Sequence, residues 1–286
     1  MVANLAEAGG HIVNVGMSSV GSSTLSYHSN FEPTLEQVNS GEWDYVVLQE
    51  HTLLPVIPHW VENSFYPKVA WFDSLITANG AETVLFMQQA YKNPNGEYCA
   101  FDHCSPAFYS HEEMHEFMQG SYYPLAESLD IKLVPLGDVW TSVLADNPAP
   151  ALWGGDDLHA SIAGSYLTAC VFYLTLFNES PVGLSYTAGL INSEALMYQQ
   201  YAAQFSSPRD VRVAITENEY TLTWTPVLEC EYNVYSSSLL NSYFPDGWFL
   251  ETHAPISETQ WTSLISTEKK FFRIVSVIPE NSLLTD

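Results

Sequence analysis

The chain has 286 residues, 47% of them apolar, with 33 acidic side chains against 8 basic ones and a net charge of −25. That length exceeds a typical single domain, and the apolar share suffices for a core, which excludes an intrinsically disordered chain. The negative charge repels nucleic acid and anionic membranes, so neither is an expected partner, and it suits solubility in salty water, as in a marine or halophilic source. The longest apolar run, YLTACVFYLTLF, is a dozen residues, short of a membrane span. No positively charged start followed by an apolar stretch marks a signal peptide.

The segments alternate in character from the start. MVANLAEAGG has the pattern of a short helix stopped by Gly, and HIVNVGMSS that of a strand. FEPTLEQVNSG is helical in spacing, and WDYVVLQE is a short β-rich run of the kind buried on both faces. FYPKVAWFDSLITANG is helical, ETVLFMQQA a strand, and EEMHEFMQGSYYPLAESLD mainly helical. IKLVPLGDVW begins as a strand, and SIAGSYLTACVFYLTLF is a helix. Alternation of this kind predicts a parallel sheet covered by helices. From Arg209 onward the runs VRVAITEN, EYTLTWTP, EYNVYSSS, GWFLETHA, QWTSLIS and KFFRIVSVI are short, β-rich and separated by turn residues, which predicts a β-sandwich. The expected organisation is an α/β domain over residues 1–205 and an all-β accessory domain over 206–286.

Parallel sheets place chemistry at the carboxyl ends of their strands. Three stretches fall there. In GGDDLHAS, Asp156 precedes His159 by three residues, close enough for the carboxylate to hold one imidazole nitrogen and leave the other as a general base; a surface loop with an Asp cap would also produce this spacing. In SSVGSSTL, Gly21 lets a backbone N–H approach a substrate oxygen, although a plain turn explains it too. In VVLQEHT, Gln49 follows a buried strand and can aim an amide at an oxyanion, or simply bond a loop.

Together these stretches resemble the SGNH (GDSL-type) hydrolases, over most of residues 1–186. The similarity is to a bacterial branch in which WDYVVLQE stands in place of the Gly-x-Asn-Asp block and a D-x-x-H-x-S-x-x-G-x-Y-L stretch, here DDLHASIAGSYL from Asp156, supplies the base. PVGLSY at 181–186 also looks like this branch. The resemblance implies a flavodoxin-like three-layer α/β/α sandwich. It implies a Ser nucleophile, a His159 base oriented by Asp156, an oxyanion hole from the Gly21 N–H and the Gln49 amide, no cofactor and no metal. The family nucleophile sits in a Gly-(Asp/Asn)-Ser turn after the first strand; here the opening looks like the following helix and second strand, so that block would lie upstream of Met1. Ser18, Ser22 and Ser23 are substitutes that the spacing to Gln49 disfavours. An unfilled place in the sheet would expose an edge, which a homo-oligomer could cover.

HEEMH at 111–115 fits the zinc-protease pattern H-E-x-x-H, with His103 and Glu127 near in sequence, but the extended His-bearing form is not present and a helix with a polar solvent face explains it. Cys99 and Cys104 bracket a short loop and could pair in an oxidising compartment, whereas Cys170 lies in an apolar run as an inert core thiol. The C-terminal runs resemble fibronectin type III-like modules of secreted bacterial enzymes, with Trp224 as the buried Trp and Tyr232–Tyr235 as a strand. A spacer role is expected there, and glycan binding through Trp248 and Trp261 is the sharper alternative. The resulting expectation is a secreted or periplasmic serine ester hydrolase acting on a small ester or an acylated carbohydrate. A catalytically inactive binding protein and a zinc protease are the competing classes.

Overall fold

The computed structural model describes residues 1–146, 151–205, 209–215, 219–225, 231–237, 249–254, 260–264 and 271–277. In chain order the first elements are α1 (Val2–Ala8), α2 (Leu25–His28), α3 (Glu32–Asn39), β1 (Tyr45–Leu48), α4 (Pro58–Trp60), α5 (Tyr66–Ala78), β2 (Glu82–Met87), β3 (Cys99–Ala100) and β4 (His103–Cys104). There follow α6 (His111–Leu129), β5 (Lys132–Pro135), α7 (Leu136–Asp146), α8 (Ile162–Phe177), α9 (Asn192–Ala203) and the strands β6 (Arg209–Ile215), β7 (Glu219–Thr225), β8 (Glu231–Ser237), β9 (Phe249–Ala254), β10 (Gln260–Leu264) and β11 (Phe271–Val277). The chain divides into two compact units, Met1–Ile12 with Ser165–Asp286, and Val13–Gly164.

The unit of residues 13–164 is built on a parallel sheet in the order β1-β2-β5, with Tyr45 opposite Glu82 and Val84 opposite Lys132. Strand β2 is apolar along nearly its whole length and buried on both faces, as a central parallel strand must be. Leu48, Leu85 and Met87 pack with Val69, Phe72 and Ile76 of α5 and with Met114, Met118 and Tyr122 of α6 into one core. Local chemistry sets the helix ends. The Ser110 hydroxyl accepts the Glu113 N–H at 3.1 Å and the Glu113 carboxylate accepts the Tyr109 N–H at 2.6 Å, a reciprocal cap that starts α6. At the end of α5, Gly80 takes φ +84° while Ala81 N–H reaches back to the Ile76 carbonyl at 3.2 Å. That chain reversal requires a left-handed residue, for which Gly carries no Cβ penalty.

One predicted strand is absent: residues 11–20, HIVNVGMSS and its continuation, form no regular element. Apolar alternation is only half of what a strand needs; the other half is a ladder partner for its N–H and C=O groups. Strand β1 ends the sheet order, segment 13–20 pairs with none of the described strands, and Val15 and Met17 are exposed.

In the other unit, β10-β7-β6 and β11-β8-β9 are two antiparallel three-stranded sheets. They contribute Leu222, Trp224, Tyr232, Val234 and Ile274 to a common core, so all six predicted C-terminal strands are present and Trp224 is buried as expected. Trp261 is half-buried and packs against this core, and Trp248 lies outside the described residues. Helix α9 was not legible in the sequence. Its Gln199 side chain is buried and bonds Gly183 N–H, the Leu184 carbonyl and the Tyr166 hydroxyl, so it holds the PVGLSY segment in place. The fold class is therefore α/β with a parallel sheet, accompanied by a small all-β sandwich.

Candidate active site

The segment 151–161 is a tight loop that leads into α8. Trp153 and Ala160 form an antiparallel bridge, Gly154 N–H donates to the His159 carbonyl at 2.7 Å, and Ser161 N–H donates to the Leu152 carbonyl at 2.8 Å. The Ser161 hydroxyl accepts the Gly164 N–H at 3.1 Å and so caps the helix. Gly164 is required by close approach: a Cβ there would stand 2.3 Å from the Leu152 carbonyl oxygen and 2.5 Å from the Trp140 ring. The H-x-S-x-x-G spacing is thus an imidazole, a cap and a contact glycine in succession.

Within this loop the Asp156 Oδ2 lies 2.6 Å from the His159 Nδ1. The other carboxylate oxygen accepts the backbone N–H groups of His159 and Leu158 at 2.9 and 3.1 Å. The hydrogen bond from the His159 ring, followed by those two N–H donors, holds the Asp156 carboxyl well below the usual carboxylate range. An ionised Asp156 fixes the Nδ1–H tautomer and leaves Nε2 of His159 as an acceptor. The pair faces solvent, with 79% of the His159 side chain and 53% of the Asp156 side chain exposed.

Two anchors place the loop beside the carboxyl ends of the strands. Trp153 meets the Trp140 ring of α7, the helix leaving β5, at 5.1 Å, and the His111 ring at the start of α6 at 5.6 Å. Lys92, in the segment leaving β2, bonds Asp157 at 2.5 Å and lies 5.8 Å from the Trp153 ring centroid. Gln49, immediately after β1, donates from Nε2 to the Gln88 side-chain oxygen at 3.1 Å, and Gln88 in turn donates to the Glu50 carbonyl at 3.0 Å. Gly21 is exposed in the turn Val20–Ser23, closed by Ser23 N–H to the Val20 carbonyl at 3.1 Å. Asp156 and His159 are brought together, and Gln49 lies at the same end of the sheet. Among the described residues no hydrogen bond joins His159 to Gly21 or Gln49.

Two residues without an assigned role in the sequence stand out. Glu50 is 1% exposed, and its Oε1 accepts the Leu25 N–H at 3.2 Å and the His51 N–H at 2.7 Å. Among the described residues its Oε2 has no hydrogen-bond partner, nor has the buried Tyr122 hydroxyl. Burial outweighs those two N–H bonds and pushes the Glu50 carboxyl up to about 7. The signal was present: an acid at the end of an apolar run meant for burial. Gln88 is the second, and it follows β2 directly as Gln49 follows β1, so the same signal applied to it.

The HEEMH helix corrects one expectation. Its glutamates face solvent, but His111 and His115 are both buried rather than on a polar outer face. His111 is bonded through Nδ1 to the Tyr91 carbonyl at 3.1 Å and through Nε2 to Thr141 at 3.0 Å. His115 Nε2 meets Asp138 at 2.8 Å, and Gln119 and Tyr123 also bond that carboxylate. This second His–Asp pair is closed off from solvent. Among the described residues no three His, Cys, Asp or Glu side chains are grouped to hold a metal ion. Cys99 and Cys104 are disulfide-bonded and Cys170 is a buried free thiol.

No known protein-family profile matches the chain, and no curated protein matches it in sequence. Among solved structures it is similar to a DUF4886 family protein from Bacteroides uniformis, with a TM-score of 0.59 and 17% identity, covering 71% of this chain and 86% of that one. It is also similar to a protein from Slackia heliotrinireducens that carries a provisional assignment as an SGNH hydrolase, with a TM-score of 0.47 and 25% identity, covering 61% and 90% of the two chains. The first likeness establishes a shared fold.

Proposed function

We propose that this chain is a serine ester hydrolase of SGNH type, acting on a small carboxylic ester such as an acetyl group on a carbohydrate. The observation that carries the reading is the ionised Asp156 held 2.6 Å from His159 Nδ1, on an exposed loop anchored at the carboxyl ends of a parallel sheet. A solvent-facing imidazole with its second nitrogen free can accept a proton from an attacking hydroxyl and return it to the leaving alkoxide. The acyl group passes through a serine to water, and Gly21 N–H and the Gln49 amide stabilise the tetrahedral oxyanion. No cofactor is required for this chemistry. The Cys99–Cys104 disulfide supports an oxidising, extracytoplasmic location.

The test is hydrolysis of p-nitrophenyl acetate by the purified chain and by His159→Ala. General acid–base catalysis contributes roughly 10²- to 10⁴-fold, so the variant should lose activity on that scale. A wild-type protein that leaves the ester at the buffer rate, or a variant that hydrolyses it undiminished, removes the reading.

A further inference from the structure

The SSVGSSTL stretch folds into a hydrogen-bonded relay separate from His159. Ser23 Oγ lies 2.8 Å from His28 Nε2. His28 Nδ1 lies 2.7 Å from Thr34 Oγ1, and Thr34 Oγ1 lies 2.7 Å from Ser18 Oγ. Four side chains from the 18–23 turn, α2 and α3 thus form one line that ends at the Ser23 hydroxyl. Two proton orders, running in opposite directions, satisfy all four groups; in the reactive one Ser23 O–H donates to Nε2, Nδ1–H donates to Thr34, and Thr34 O–H donates to Ser18. In that order the imidazole stands to Ser23 as a base stands to a nucleophile, and Thr34 takes the orienting place that a carboxylate fills elsewhere.

The backbone holds this geometry on both sides of the serine. Ser22 takes a left-handed conformation, φ 58°, in the turn that the Ser23 N–H closes. Thr24 caps α2 by accepting the Tyr27 N–H at 3.1 Å. Leu25 N–H is tied to Glu50, the residue after Gln49, so the turn is pinned at the carboxyl end of β1. Ser23 and His28 are half-buried, and the neighbouring Gly21 and Ser22 are exposed, which leaves a way in for a small electrophile. Burial also lowers the His28 imidazole, which favours the neutral, proton-accepting form.

We propose that Ser23 and His28 form a nucleophile–base pair that takes up an acyl or phosphoryl group from a small activated ester. Ser23 Oγ bonds to the electrophilic carbon or phosphorus while His28 Nε2 receives the hydroxyl proton. The bond to the leaving group breaks, and the leaving anion departs either as such or with the proton from His28. Thr34 orients the ring without a negative charge, so the imidazolium is less stabilised than beside a carboxylate and the pair reacts more slowly than a carboxylate-supported one. This goes beyond the ester-hydrolase reading and does not rest on His159.

The experiment is labelling of the whole chain with diisopropyl fluorophosphate, with the modified peptide located by mass spectrometry. In that reaction the Ser Oγ–P bond forms, the P–F bond breaks, fluoride leaves and the serine proton passes through His28 to solvent. A label on Ser23 is expected, absent in Ser23→Ala and retained in Ser22→Asn. His28→Asn keeps a polar atom for Thr34 but has none at the Nε2 position, and should slow labelling by about 100-fold. No label on Ser23, or an unchanged rate in a folded His28→Asn, overturns the proposal. The effect of His159→Ala on ester hydrolysis is read in a separate assay, so the two readings fail on different measurements.

Discussion

Glu50 supplies a stability signal that depends on pH in a direction opposite to most carboxylates. Its carboxyl is buried with one oxygen unpartnered, and it is pushed from the usual 4.5 up to about 7. The folded chain therefore binds this proton more tightly than the unfolded chain between those two values. The stabilisation is complete below the unfolded pKa and is lost as pH rises through the folded one. At about 1.4 kcal/mol per pH unit, ionising Glu50 costs about 3 kcal/mol once the pH is above 7. Glu50→Gln is the matching perturbation. The amide oxygen still accepts the Leu25 and His51 N–H groups, and the amide nitrogen takes the place of the unpartnered Oε2 without any charge to ionise. Urea midpoints of both proteins at pH 5 and pH 8 measure the effect. The general repulsion of a chain with net charge −25 is shared by both and cancels in the comparison to within one charge. Wild type and variant should agree within about 1 kcal/mol at pH 5, and the variant should be the more stable by about 3 kcal/mol at pH 8. A difference that is the same at the two pH values, or that favours wild type at pH 8, refutes the reasoning.

Other perturbations give smaller or simpler outcomes. Gly164→Ala drives a methyl into the Leu152 carbonyl and the Trp140 ring, and should cost about 1–3 kcal/mol in a denaturation midpoint; a neutral effect would show that the loop is not clamped there. Lys92→Ala removes an exposed ion pair to Asp157 and should change stability by less than about 1 kcal/mol, since solvent screens such pairs; a larger loss would mean that Lys92 anchors the loop by more than charge. Reducing Cys99–Cys104 releases a short loop, for which chain entropy gives a loss of about 2 kcal/mol or less, read as a modest fall in melting temperature.

The sequence disclosed those features that a residue's own neighbours determine. Strands β2 and β5, the six C-terminal strands and the long helices follow from apolar runs and their punctuation. The Asp156–His159 pair follows from a spacing short enough to close within one loop. What depends on distant partners was not legible. HIVNVG alternates like a strand, yet strand formation is decided by a neighbour that alternation cannot reveal. Helix α9 buries Gln199 and Gln200 beside its apolar residues, so no clean apolar stripe marked it. His111 and His115 looked like polar surface because their partners, Tyr91, Thr141 and Asp138, lie on other segments. The links from Ser23 to His28 and from His28 to Thr34 are local, but separations of five and six residues after a Ser-rich turn do not stand out without the fold.

The ester-hydrolase account depends on Asp156 acting on His159, and its neighbour provides an internal control. Asp157 is also an exposed carboxylate in this loop, but it pairs with Lys92 and takes a left-handed φ of 55° that Asn accepts well. The decisive measurement is kcat/KM for p-nitrophenyl acetate in Asp156→Asn and Asp157→Asn, side by side. The account predicts a loss of about 100-fold or more for the first and less than about threefold for the second. Equal effects, or an Asp156→Asn protein as active as wild type, would contradict it.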